Sequence, residues 1–221
     1  LRLSRGLGDV YKRQFHDWAL RTVAIKPYPI CHFNHAPVDA ALVLREQHGL
    51  TPDKIASVTI GLDERQFGVV ADPIDAKRAP QSEYDAKFSV PYAVATALCK
   101  GRFTLADLED AARVDAEVLS LAQCIECTHD DRSRYPDAFS GGVKLTLADG
   151  TELEHFEAVN RGAEGQLLSA EQVKAKFLDN CALTIPADKA EQLWSAMLHL
   201  DEMKDVAELT ALLRTQANRA A

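Results

Sequence analysis

The stretch VKLTLADGTELEHFEAV, residues 143–159, is two alternating apolar and polar runs joined at Asp149-Gly150. Alternation with period two gives a strand one apolar and one polar face, and Asp-Gly supplies the backbone that a tight reversal needs. The runs predict an antiparallel hairpin, which excludes an all-helical chain. SVTIGL (57–62) sets Val58, Ile60 and Leu62 against Thr59 and Gly61, a further strand with one buried face, and another strand is expected near 122–129.

Between the strands the grammar is helical. APVDAALVLREQHG (36–49) puts Val38, Ala41, Leu42 and Arg45 on one face and closes at Gly49, a C-cap. FSVPYAVATALCKG (88–101) has Ser89 as N-cap, Pro91 in the first turn and Gly101 as stop. TLADLEDAARV (104–114) repeats the pattern with Thr104 and Asp107, and a further helix is expected over 115–121. Residues 63–86 carry Gly68, Pro73 and Pro80 among charges and show no period, so they read as a long irregular segment of the functional or mobile kind. Past Gly165 only helical spacing remains, starting with Ser169 and Gln172 as a capping box. The expected fold is therefore α+β, a sheet with helices followed by an all-α tail, with a boundary near residue 165.

Composition narrows the function classes. The chain has 221 residues, 47% of them hydrophobic, enough for a real core. A net charge of -8 without any Lys/Arg cluster argues against nucleic acid and anionic membrane surfaces as partners. No apolar run reaches the roughly 18–20 residues of a membrane span, and no secretory signal pattern is present. Five cysteines, Cys31, Cys99, Cys124, Cys127 and Cys181, are an odd number in a chain this long, which favours reduced thiols and a cytoplasmic setting. The opening LRLSRGLGDVYKRQ (1–14) is basic, with Asp9 its one acid, and reads as a leader foreign to the domain.

Candidate chemistry concentrates in KPYPICHFNH, residues 26–35. A metal site from His32 and His35, with His129, Asp130 and Asp131 as further ligands, lacks a helical HExxH scaffold, and Pro27 and Pro29 keep the approach to His32 extended. No metal is expected. Cys124-Ile-Glu-Cys127 is a lone CxxC; on a strand its thiols would face opposite ways, so the structural reading is preferred to a redox or zinc one. Spacing alone leaves two roles open for Asn34 and His35, capping the following helix or catalysis. The catalytic reading places a histidine and a lysine at a helix N-terminus, whose free N–H groups attract carboxylates and bias His35 toward its neutral, basic form. The start of the 89–100 helix offers a similar end with Ser89 and Tyr92, whose phenol can donate a proton.

Four blocks in order, KPYPICHFNHAPVDAA, YDAKFSVPYAVATAL, VKLTLADGTELEH and LSAEQVKAKFLDN, resemble the carboxy-terminal half of the MmgE/PrpD family, which includes 2-methylcitrate dehydratase, cis-aconitate decarboxylase and iminodisuccinate epimerase. The resemblance covers about residues 24–213. It implies a small α+β lid at 26–165, with 166–221, and the end of 1–25, belonging to a discontinuous helical domain whose other part has no counterpart here. It also implies a cofactor-independent lyase acting on small di- or tricarboxylates, a hydro-lyase first, with decarboxylation or epimerisation as alternatives. His35 and Tyr92 would be catalytic, Lys26 and Ser89 substrate-binding, the full-length protein a homodimer and this piece by itself inactive. A rival of another class is a stand-alone α+β module for ligand binding or dimerisation; a CxxC redox protein is a third reading.

Overall fold

The computed structural model describes residues 23–214. The leader expected at 1–14 lies outside them. A lead-in loop ends in a 3-10 turn, His32–Asn34, and runs into helix α1, His35–His48. Strand β1, Ile55–Leu62, follows; a helical crossover then returns the chain to β2, Ile125–His129, and the hairpin β3, Gly141–Leu147, and β4, Glu152–Glu157, completes a sheet of order β2-β1-β3-β4. β1 pairs with β2 in parallel and with β3 antiparallel, and β3 pairs antiparallel with β4. The sheet is thus mixed, and the fold is α+β.

Both alternation patterns appear as read. Val58, Ile60 and Leu62 are buried, as are Val143 and Leu145 in the neighbouring strand, so one face of the sheet meets the helices. The hairpin turns over residues 148–151, with Gly150 at φ 86 and the Asp149 carboxylate accepting from Thr151 N at 2.9 Å. Helix α1 closes on Gly49 at φ 57.

The crossover corrects the expectation of a long irregular segment. Residues 63–86 hold three short helices, α2 (Glu64–Val70), α3 (Ile74–Arg78) and α4 (Glu83–Lys87). Each is seven residues or fewer, too short to show a 3.6-residue period. Their signals were the caps: Asp63 with Gln66 forms a capping box, and Ser82 accepts from Asp85 N. Helix α5, Val90–Lys100, has the predicted Ser89 N-cap and Gly101 stop. Residues 104–113 do not make one helix: a 3-10 turn, Leu105–Leu108, breaks at the extended Glu109 before α6, Asp110–Arg113. Helix α7, Ala116–Gln123, then absorbs Ala122, so β2 starts three residues later than expected.

Helices α1 and α5 lie against the sheet and α7 packs on α5, together burying Val38, Leu44, Val94, Leu98, Val118 and Leu121. Each such side chain adds about 1.5–3 kcal/mol relative to exposure. The tail, α8 (Ala170–Cys181), α9 (Ala187–Leu198) and α10 (Val206–Leu213), keeps a small cluster of its own around Cys181, Ala190 and Leu193. Among the described residues no helix is long and apolar enough to cross a membrane.

Candidate active site

The lead-in loop and the first turn of α1 carry the polar groups that composition left unexplained. Asn34 stands at the N-cap of α1 but makes no side-chain capping bond; its amide donates instead to Lys87 O at 3.4 Å. His35 is the first helical residue and is fully buried, with Nε2 3.4 Å from Ile30 O. Lys26, exposed, donates to the same carbonyl at 3.2 Å, so the ammonium and the imidazole meet at one oxygen. His32 lies beside them, its ring centroid 4.8 Å from that of His35 and its face stacked on Phe139 at 4.6 Å.

A buried clamp holds this loop. Tyr28 donates to Asp39 Oδ1 at 2.6 Å, and Arg161 reaches the same carboxylate through Nε at 2.6 Å and its backbone N–H at 3.0 Å. Arg161 also donates to the Tyr28 hydroxyl. Asn160 Nδ2 lies 2.9 Å from His32 Nε2, and Ile25 N donates to Gly162 O at 2.9 Å. Residues 160–162, just past β4, thus hold the loop at both ends. Gly162 is required there: at φ 84, an added Cβ would stand 1.9 Å from Ile25 O.

Burial sets the protonation states. It is the largest cause holding His35 down to about 3, with the neighbouring His32 ring and the ammonium groups of Lys26 and Lys176 disfavouring a charge there and the contact with Ile30 O opposing them. His32 is lowered too, by burial and then Lys26. Both imidazoles are neutral at ordinary pH. His35 Nδ1 is buried without a hydrogen-bond partner, and Lys26 meets the ring on its Nε2 side, at Ile30 O.

The other predicted site residues sit elsewhere. Tyr92 is fully buried; its hydroxyl donates to Asp107 O at 2.6 Å, and burial pushes it up to about 12. Ser89 is also fully buried, accepting from Tyr92 N at 3.0 Å while donating to Lys77 O. The structure therefore brings Lys26 and His35 together but leaves Ser89 and Tyr92 behind them, in the start of α5. Cys31 N donates to Lys87 O at 2.8 Å, which ties that start to the back of the loop.

The remaining motifs resolve simply. Cys124 is exposed at the end of α7, and Cys127 packs on the core, where burial raises its thiol to about 12. His129 pairs with Asp131 at 3.2 Å. Among the described residues no group of three or more His, Cys, Asp or Glu is placed to hold a metal ion. Tyr28, Asp39, Asn160 and Arg161 had drawn no attention in the sequence. Asp39 alone gave a signal, as an acid four residues past His35 on the face of α1 that carries the core.

Two grooves flank the loop, because successive residues of an extended segment point to opposite sides. One, of about 320 Å³, is lined by Pro27, Pro29 and Lys176; the other, of about 590 Å³, by Tyr28, Asp39 and Arg161. His35 lines neither.

The sequence profile of the MmgE/PrpD C-terminal domain matches residues 28–202, taking in the loop, the sheet and most of the tail. The chain belongs to the MmgE/PrpD family. Among MmgE/PrpD relatives, cis-aconitate decarboxylase of Mus musculus is 26% identical over 93% of this chain and 43% of its own length. The 2-methylcitrate dehydratase of Escherichia coli K12 is 29% identical over 65% of the chain and 31% of its own length. That of Cupriavidus necator is 27% identical over 89% and 42%. The chain spans less than half the length of these MmgE/PrpD relatives.

Proposed function

We propose that this chain is the carboxy-terminal part of a lyase that acts on small di- or tricarboxylic acids, with loss of water as the first reaction to test. Epimerisation shares its opening step, removal of a proton next to a carboxylate, whereas decarboxylation breaks the C–C bond to a carboxylate and delivers a proton to the carbon left behind. Residues 26–165 form its α+β lid and 166–221 return to a helical domain supplied by more of the same protein. The reading takes it to be cytoplasmic and homodimeric when whole and inactive as this piece alone.

The observation that carries the reading is His35, whose Nε2 meets the Lys26 ammonium at the Ile30 carbonyl while its Nδ1 is buried without a partner, in a family whose relatives include a dehydratase and a decarboxylase. A carboxylate brought to Lys26 places negative charge near His35, and opposite charge favours protonation of an imidazole. The pKa of His35 then rises from about 3 toward the range useful for a general base. His35 removes a proton from carbon next to the carboxylate, leaving the electron pair on that carbon, where Lys26 stabilises the enolate-like charge. The pair forms a double bond as hydroxide leaves, and the proton on His35 joins it as water. No metal or organic cofactor is needed for these steps. The buried ring is reached only if the packing over it parts, and exposed Lys26 is the first contact.

The experiment is a turnover assay of the chain, alone and within the whole protein encoded at its locus, on a panel of citrate-like and aconitate-like acids. Turnover by the whole protein, lost on replacing His35, is expected. A whole protein that converts none of them overturns the reading and favours a non-catalytic module, whose mark would be acid binding or dimerisation by this chain alone.

A further inference from the structure

Asn160 is 1% exposed and sits between two acceptors. Its Nδ2 is 2.9 Å from Arg161 O and 2.9 Å from His32 Nε2. A carbonyl oxygen offers only lone pairs, so the amide end that faces Arg161 O must be the NH₂ group. Both amide protons are then engaged, one on Arg161 O and one on His32. The nitrogen receiving the second must be bare, and the proton of His32 resides on Nδ1. Protonating His32 would set an N–H against an N–H across that 2.9 Å contact.

The same reasoning orients His35. Its Nε2 faces Ile30 O, again an acceptor only, so Nε2 carries the proton and Nδ1 the lone pair. The two rings, 4.8 Å apart, are therefore unlike: one blocked from taking a proton at its buried nitrogen, the other open. The charged groups around them are Lys26 from the loop, Lys176 from α8, and the Asp39–Arg161 pair joining α1 to the turn after β4.

We infer that Asn160 is a positioning residue for proton transfer: it holds His32 as the neutral Nδ1–H tautomer, so that a proton taken from substrate is received at Nδ1 of His35 and not by its neighbour. The catalytic consequence rests on the lyase reading above; the tautomer does not. In the transfer the substrate C–H bond breaks, the N–H bond forms at His35, and His32 neither gains nor loses a proton. A second positive charge 4.8 Å away is thereby excluded at the moment His35 becomes cationic.

Long-range ¹H–¹⁵N correlation of the histidine rings in the 221-residue chain tests this directly. In the unaltered protein His32 is expected to show Nε2 as an unprotonated ring nitrogen and Nδ1 as a protonated one. Asn160→Asp puts an acceptor where the donor stood, so the proton moves to Nε2 and the His32 titration shifts upward. In the whole protein the acid limb of the kcat/KM profile moves up with it, and kcat falls about 10²-fold. Asn160→Ala removes the donor without adding charge and is expected to leave a mixture of tautomers. A protonated Nε2 on His32 in the unaltered protein overturns the inference, whether or not either variant folds. So does an Asn160→Asp spectrum with the tautomer unchanged. Absence of turnover in the unaltered whole protein overturns the lyase reading and the catalytic consequence together, while the tautomer stands or falls on the spectrum alone.

Discussion

At the scale of single residues, His35 decides most. Its folded pKa of about 3 lies below the ordinary 6.5, so between those values the unfolded chain binds the extra proton. The stability this represents is complete above about 6.5 and is lost as pH falls toward about 3. His32, shifted the same way, also acts below about 6.5, whereas Asp63, held down to about 2 chiefly by Arg65, acts between about 3.8 and about 2. Urea midpoints at about pH 7 and about pH 4.5 should therefore separate further in the unaltered protein than in His35→Gln, the difference isolating His35 from His32. In turnover, His35→Ala should lower kcat about 10²-fold or more; an unchanged rate would leave the ring a packing role only. Asp39, 2% exposed, makes a different kind of prediction. Asp39→Ala strands the Tyr28 hydroxyl and the Arg161 guanidinium together and should cost about 2 kcal/mol by chemical denaturation, less than for a sealed pair because Arg161 reaches solvent.

At the scale of elements, caps and turns were more legible than lengths. Ser89 and Ser169 cap helices as their sequence context foretold, Asp115 caps the helix expected to begin with it, and the Asp149-Gly150 turn reverses the hairpin. The helices of residues 63–86 escaped because each buries too few side chains for a period to emerge, and Gly68 and Pro73 read as breakers although one lies inside α2 and the other before α3. Ser89→Ala tests which role that residue fills. Loss of its cap and of its bond to Lys77 O should lower stability by about 1–2 kcal/mol while KM stays put; a raised KM at unchanged stability would make it a substrate contact after all. Lys26 and His35 were legible as a pair because they share one short loop. Asn160 and Arg161 were not, since 128 residues separate Asn160 from His32 and no local pattern announces such a contact.

At the scale of the whole molecule, the tail leaves apolar surface in the open. Leu198, Leu200 and Val206 are 62%, 50% and 61% exposed around the α9–α10 connection, and none of them packs on the tail's small cluster of Cys181, Ala190 and Leu193. Apolar area gathered at one place on a chain binds hydrophobic probes or other copies of itself. The isolated chain should enhance the fluorescence of a hydrophobic dye, and the triple replacement Leu198→Gln, Leu200→Gln, Val206→Gln should reduce that signal without lowering the urea midpoint. A signal unchanged by the replacement would locate the apolar surface elsewhere.

By itself the sequence determined the α+β class, the hairpin, the helical tail and the stretch where chemistry concentrates. Those features depend on side chains two to four positions apart, and such periods are written directly in the chain. Only the tertiary structure decided that the sheet is mixed, that Ser89 and Tyr92 face inward, and that the turn after β4 holds the loop bearing Lys26, His32 and His35. Which nitrogen of an imidazole carries its proton depends on what stands across from it, and here those partners come from distant segments that meet only when the core closes.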